Sequence, residues 1–259
     1  MTTGINYLDE VWNTITGCSG KNCKIRETCW ARAWVKKFPV IHDENVPLTP
    51  FNEVQFHPDR RDKPLHWRKA RRIGVCFLGD WMDEQVKTEW IDQILEVIVS
   101  CPQHTFFSLT KQPKNLEEKI YKVTEENPMR ELGGGDYLPN LYNGITITDQ
   151  EDADTMIPQL LDIPGKHWIS IEPMLGPIRI YPNYFSHHNT FGSRIDWVVV
   201  GCHNQPKKYP CKIEWIEDIV EQCQFAGVPI WVKQIPINNR VCHDINQFPE
   251  ALKVREYEN

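Results

Sequence analysis

The tightest constraint on this chain is an alternation of eight short, β-rich apolar runs with stretches of helical periodicity. Parallel strands need a crossover long enough to hold a helix, so this alternation is how βαβ units are written in sequence. The runs are Val11–Thr16, Glu53–Phe56, Ile73–Leu78, Thr105–Leu109, Leu141–Ile147, His167–Ile171, Ile195–Val200 and Val228–Val232. Trp90, Ile91, Ile94, Leu95, Ile98 and Val99 share one helical face. Trp215, Ile216, Ile219, Val220 and Cys223 share another, with Gly227 placed to end it. Asp149 is placed to cap a helix reaching Leu161, which Pro158 is expected to bend or end early. The stretches 40–49, 127–139 and 182–194 read as loops or insertions. The pattern predicts an α/β fold: a single parallel (β/α) barrel domain over residues 1–259, TIM-like or partly open.

In a parallel barrel every strand's carboxyl end opens onto one face, and that face carries the chemistry. Here the runs end on Cys18, His57, Asp80, Thr110-Lys111, Thr148-Asp149, Glu172, Cys202 and Lys233-Gln234, a polar residue after every run. Glu172 closes a buried strand, where an unpaired carboxylate is costly, so it requires a partner or a ligand. Asp80 and Thr148 raise the same question less strongly. Lys111 and Lys233 suit a carboxylate or phosphate, or are plain surface charges. Gln234 and His57 complete the ring.

Nine cysteines in a chain with neither a secretory signal at Met1–Glu10 nor a twenty-residue apolar stretch call for another reading than disulfides. A cytoplasmic protein with no membrane span is expected. Cys76, Cys101 and Cys223 sit in apolar patterns and read as core. Cys202, His203, Cys211, Cys242 and His243 lack a familiar ligand spacing, so chance proximity outweighs a second metal site. The formal net charge of −6 excludes a uniformly positive surface. It leaves room for local patches such as Arg68-Lys69-Ala70-Arg71-Arg72, which otherwise reads as a solvated turn.

Cys18, Cys23 and Cys29 are different: three thiols lie within twelve residues, directly after the first run and before a helix expected over residues 30–38. Ser19, Gly20 and Asn22 let the backbone turn tightly between them. Coincidence is one reading. A structural zinc site is another, and needs a fourth ligand such as His42, His57 or a distant cysteine. The third is an iron–sulfur cluster on three thiolates with one iron left open, which a barrel mouth favours.

Ordered motifs extend this. They include Trp12 to Cys18, Cys29-Trp30-Ala31-Arg32, His57-Pro58-Asp59-Arg60, Pro64 to Lys69, Gly79-Asp80-Trp81-Met82, Cys101 to Phe106 and Leu109 to Pro113. Further along come Gly144 to Asp154, Ser170 to Pro177, Ile195 to Gly201, Ala226 to Pro229 and Trp231-Val232-Lys233-Gln234. On these the chain resembles the phage- and prokaryote-encoded three-cysteine-motif family of radical S-adenosylmethionine (SAM)-like proteins. The resemblance implies a [4Fe–4S] cluster on Cys18, Cys23 and Cys29, with SAM chelating the open iron and an external electron donor driving its homolytic cleavage. It implies Glu172, Asp80, Thr148 and Trp30 as cofactor contacts, Trp81 beside the cluster or adenine, and Lys111, Lys233, Gln234 and His57 as substrate contacts. The substrate is unspecified; the phage setting implies nucleic acid. A non-catalytic binding module stabilised by zinc or an iron–sulfur cluster is the alternative.

Overall fold

The computed structural model describes residues 5–21, 23–37, 50–126, 138–186 and 192–257. The expected loop at 40–49, His42, Phe38 at the end of the expected helix, Asn22, residues 127–137 and residues 187–191 lie outside the described residues. The chain is mixed α/β and divides into two compact units, residues 1–132 and 133–259. No helix among the described residues is long and apolar enough to cross a membrane.

In the first unit, β1 (Glu10–Trp12), β4 (Arg72–Val75) and β5 (Thr105–Ser108) pair in parallel, with β4 in the centre. Parallel strands buried on both faces read as unbroken apolar runs, and Ile73, Val75, Phe106 and Phe107 are all buried. The helices here are α1 (Trp30–Lys37), α2 (Thr88–Val99) and α3 (Pro113–Glu126). α2 buries Ile91, Ile94, Leu95 and Ile98, the face its periodicity predicts. The Arg68–Arg72 run is used locally in part: Arg71 Nη1 donates to Glu10 Oε1 at 2.5 Å and its guanidinium lies over Trp67.

Two expectations are corrected in this unit. The first run is not one strand: it breaks after Trp12, and Ile15–Thr16 forms a separate β2. The second run gives only β3 (Gln55–Phe56), which pairs antiparallel with β2 in a small sheet of their own. The strand stops after two residues, and Pro58, one residue further on, starts a 3-10 turn. The parallel set therefore lacks the second of the eight expected strands.

In the second unit, β6 (Leu141–Thr146), β7 (Lys166–Ile171), β8 (Trp197–Gly201) and β9 (Ile230–Ile237) run parallel in sequence order. A short β10 (Arg240–Cys242) returns antiparallel on β9. α4 (Gln150–Leu161) is capped by Asp149, whose Oδ1 accepts the Asp152 N–H at 3.1 Å, and it continues three residues past Pro158 rather than stopping there. α5 (Ile213–Ala226) buries Ile216, Ile219, Val220 and Cys223 and ends at Gly227, whose φ of 67° is the left-handed conformation expected of a helix-ending glycine.

β7 carries His167, fully buried, with its Nδ1 3.2 Å from the Arg194 carbonyl. Desolvation lowers its pKa below the ordinary 6.5, although Asp196 and the carbonyl hydrogen bond oppose this. A depressed histidine pKa means that the unfolded chain takes up the proton first. The stabilising contribution is present above pH ~6.5 and is lost as pH falls below it. We therefore expect a steeper acid limb in the wild-type urea-midpoint profile between about pH 6.5 and 5 than in His167→Asn, which cannot take up that proton.

Candidate functional site

In the first unit the segment after β2 and the segment after β4 are joined by contact between two glycines. Gly17 has φ 88°, pairs with Gly79 as an isolated parallel bridge, and donates its N–H to the Leu78 carbonyl at 3.1 Å. A Cβ on Gly79 would stand 2.4 Å from the Gly17 oxygen, and one on Gly17 would stand 2.3 Å from the Glu53 oxygen. Neither position admits a side chain, and the cysteine loop leaves the sheet from this crossing.

The loop is then pinned by Asp83, which is fully buried. Its Oδ2 accepts from both the N–H and the hydroxyl of Ser19, at 2.8 and 2.6 Å, while Oδ1 accepts from the Gln85 N–H. Lys119 donates to the carbonyls of Asp83 and Val86, both at 2.7 Å, and so fixes the turn that carries this carboxylate. Asp80 is equally occupied. Its Oδ1 accepts from the Thr110 hydroxyl at 2.6 Å and the Met82 N–H, and its Oδ2 accepts from the Lys111 N–H at 3.0 Å. Burial pushes its pKa up, and these three hydrogen bonds act against the shift. Three expected strand-end residues, Cys18, Asp80 and Lys111, are thus brought to one end of the first unit. His57 lies beside the loop's base, its Nε2 2.8 Å from the Thr16 hydroxyl.

Cys18, Cys23 and Cys29 all line one pocket, together with Gly20, Arg26, Arg32, Phe51 and Asn52. The space between these residues, open solvent included, is about 330 Å³. The three thiols are each partly accessible, unlike the buried Cys76, Cys101 and Cys223, which are core as expected. The Gly20 N–H points at Cys18 Sγ from 3.2 Å, as a donor to a sulfur ligand would. Burial first, then the nearby Asp80 and Asp83 carboxylates, push the Cys18 pKa up to about 12 despite that donor. The protein's own surroundings therefore favour Cys18 as a thiol, and a bound cation would reverse that balance.

Among the described residues no three His, Cys, Asp or Glu side chains are grouped to hold a single metal ion. Trp30 is 46% exposed and is not part of the pocket wall; Trp81 is fully buried in the core. Sequence reasoning missed Arg26, Arg32 and Asp83. Arg26 lies between Cys23 and Cys29 and Arg32 three residues past Cys29, so both were legible there as counter-charges.

The second unit gathers its own strand-end residues. Lys233 Nζ donates to Glu172 Oε1 at 2.5 Å, so the carboxylate expected to need a partner has one. Thr148 directs both its N–H and its hydroxyl to Asp152 Oδ2, at 2.8 and 2.6 Å. The Gln234 amide donates to the Cys202 carbonyl at 2.6 Å and to Asn204 Oδ1 at 3.1 Å, holding the turn after β8. Burial pushes Cys202 and Cys211 both up to about 12, with Cys211 and Glu172 adding to the shift at Cys202. His203 Nδ1 accepts the Gln205 N–H at 2.9 Å.

Fold and site thus define a mixed α/β protein with a three-cysteine pocket at strand carboxyl ends. The chain belongs to a family described as a protein of unknown function (DUF5131), whose family model matches residues 2–247. No curated protein and no solved structure matches it.

Asp83→Ala leaves the part-buried Ser19 and Gln85 donors without their acceptor. It should cost about 1–3 kcal/mol in urea unfolding and raise the rate at which Cys18 reacts with a thiol reagent. Asp83→Asn, which keeps one carbonyl oxygen, should fall between the two.

Proposed function

We propose that this chain is a radical-SAM-like iron–sulfur enzyme of the three-cysteine-motif type. Its strands would form one partly open (β/α) barrel domain, and Cys18, Cys23 and Cys29 would hold a [4Fe–4S] cluster in the reducing cytoplasm. The observation that carries this reading is that three partly accessible thiols, within twelve residues of sequence, open onto one pocket. A single zinc ion needs all its ligand atoms within ~2.0–2.3 Å of one point. A cluster takes each thiolate on a separate iron and so suits thiols spread around a pocket wall. Arg26 and Arg32 on the same wall favour the anionic assembly that three thiolates create.

With SAM bound, such a cluster would supply reductive one-electron cleavage, the electron coming from an external donor. The chain's own residues do the rest. Asp83 and Ser19 hold the loop in one conformation, and the Gly20 N–H donates to Cys18 sulfur, which tunes a thiolate ligand. Asp80 ties the ends of β4 and β5 together beneath the loop. In the second unit, Glu172 and Lys233 present an anion beside a cation, the complement of an amino acid's ammonium and carboxylate. The Thr148 hydroxyl, donating to Asp152, keeps lone pairs with which to accept.

Anaerobic reconstitution with iron and sulfide tests this directly. Wild-type protein should turn brown, and Cys18→Ala, Cys23→Ala and Cys29→Ala should each lose most of the iron, whereas Cys76→Ala and Cys101→Ala should retain it. With dithionite and SAM the reconstituted protein should release 5′-deoxyadenosine. Glu172→Gln should weaken SAM binding about tenfold, the scale of one charge-assisted hydrogen bond, with iron content unchanged. A colourless protein carrying stoichiometric zinc would instead support a metal-stabilised binding module.

A further inference from the structure

The cysteine pocket carries two guanidiniums that the three thiols do not use. Arg26 and Arg32 both line it, and no aspartate or glutamate does. Among the described residues neither guanidinium has a hydrogen-bond or ion-pair partner, although each presents a full fork of N–H donors. Asn52 lines the same pocket with its side-chain amide equally unengaged; only its backbone carbonyl is used, accepting from Gln85 Nε2 at 3.0 Å. Lys21, in the same loop, is by contrast neutralised by Glu84 at 2.6 Å.

The position of Arg26 is built into the loop. A Cβ on Gly20 would stand 2.7 Å from Arg26 Cδ and 2.8 Å from its Nε. The arginine stem therefore lies across the bare backbone of Gly20, in the space that a side chain would fill. Gly20, at φ 70°, is also the residue whose N–H donates to Cys18 Sγ. The turn that presents the first cysteine thus lays Arg26 along the pocket wall as well. Phe51 and Asn52 come from a separate segment, held by the Cys18 N–H on the Phe51 carbonyl at 2.8 Å and by Gln85.

A planar guanidinium matches carboxylate or phosphoryl oxygens two at a time. Two of them beside an amide, with no acid in the wall, have an anion as their complement, and Phe51 offers its carrier an apolar contact. Both arginines are open to solvent, so the site is a mouth whose ligand can exchange. We propose that Arg26, Arg32 and Asn52 form an oxyanion-binding site at the cysteine pocket, which takes the carboxylate or phosphoryl group of a small ligand and brings it beside the three thiols. The inference takes from the proposed function only the pocket itself, and its test uses neither iron nor SAM. Its failure would leave cluster assembly untouched, and a protein that assembles no cluster would leave the anion site untouched.

The thiols themselves report on the site. Iron-free, reduced full-length chain is alkylated at one pH with neutral iodoacetamide and with iodoacetate, which carries a carboxylate, and mass spectrometry reads the rate at each cysteine. The iodoacetate-to-iodoacetamide rate ratio is compared with that of N-acetylcysteine amide, an uncharged free thiol. At Cys23 and Cys29 the ratio should exceed the free thiol's about tenfold, the scale of one charge-assisted hydrogen bond, and should fall as salt is raised. Arg26→Gln and Arg32→Gln should each lower it several-fold with little change in the urea midpoint. Arg26→Lys and Arg32→Lys, which keep the charge but lose the fork, should fall between. Inorganic phosphate and acetate, added as competitors at equal ionic strength, identify the group. Protection against iodoacetate by phosphate alone marks a phosphoryl site, and protection by acetate as well marks one that accepts carboxylates. The proposal is overturned if the ratio equals the free thiol's and does not move in either glutamine variant, or if neither anion protects.

Discussion

The position of the cysteine loop depends on the contact between Gly17 and Gly79. Any other residue at either place would drive a Cβ to 2.3 or 2.4 Å from a backbone oxygen. Because the two glycines approach this closely, the chain leaves β2 in a fixed direction, with Cys18 the residue directly after Gly17. Asp83 then receives Ser19 twice and Asp80 clasps the end of β5. Two buried carboxylates within one turn are expensive unless each is well supplied with donors. Here Asp80 accepts from Thr110, Met82 and Lys111, and Asp83 from Ser19 and Gln85. Their negative potential has a chemical consequence: it favours the protonated form of Cys18. Binding of a metal or cluster must therefore be coupled to proton release.

The second unit places its chemistry by a different route. Its strand ends are wired pairwise, Lys233 to Glu172, Thr148 to Asp152 and Gln234 to the turn after β8. The segment after Glu172 crosses to its neighbours: Met174 N–H reaches the Gly201 carbonyl and Leu175 N–H reaches the Thr148 carbonyl. Such cross-links make the strand ends a connected framework rather than loose loop residues.

Much of this was legible in sequence because buried parallel strands and one-sided helices leave periodic traces. The runs at Ile73, Thr105, Leu141, His167, Ile195 and Val228 all produced sheet strands, although β4 stops at Val75 while its apolar run continues to Leu78. The stop has a local cause: Cys76 turns to φ 59°, out of the strand conformation. The run at Glu53 misled because apolar content alone does not say what a two-residue strand pairs with. β10 was not expected, yet Asn238-Asn239, both at positive φ between β9 and β10, is the usual signature of a tight hairpin. The three cysteines were legible as a group from spacing. Asp83 was not, because its role arises from a hydrogen bond to a residue 64 positions away in the chain.

The central proposal is that Cys18, Cys23 and Cys29 would hold three irons of a cubane whose fourth iron has no protein ligand. Mössbauer spectroscopy of protein reconstituted with ⁵⁷Fe, recorded with and without SAM, examines that fourth iron directly. The account predicts a four-iron signal in which one site alone shifts on adding SAM, while the other three keep their thiolate parameters. Four sites that ignore SAM, or iron that fails to assemble while zinc binds the same thiols, would contradict it.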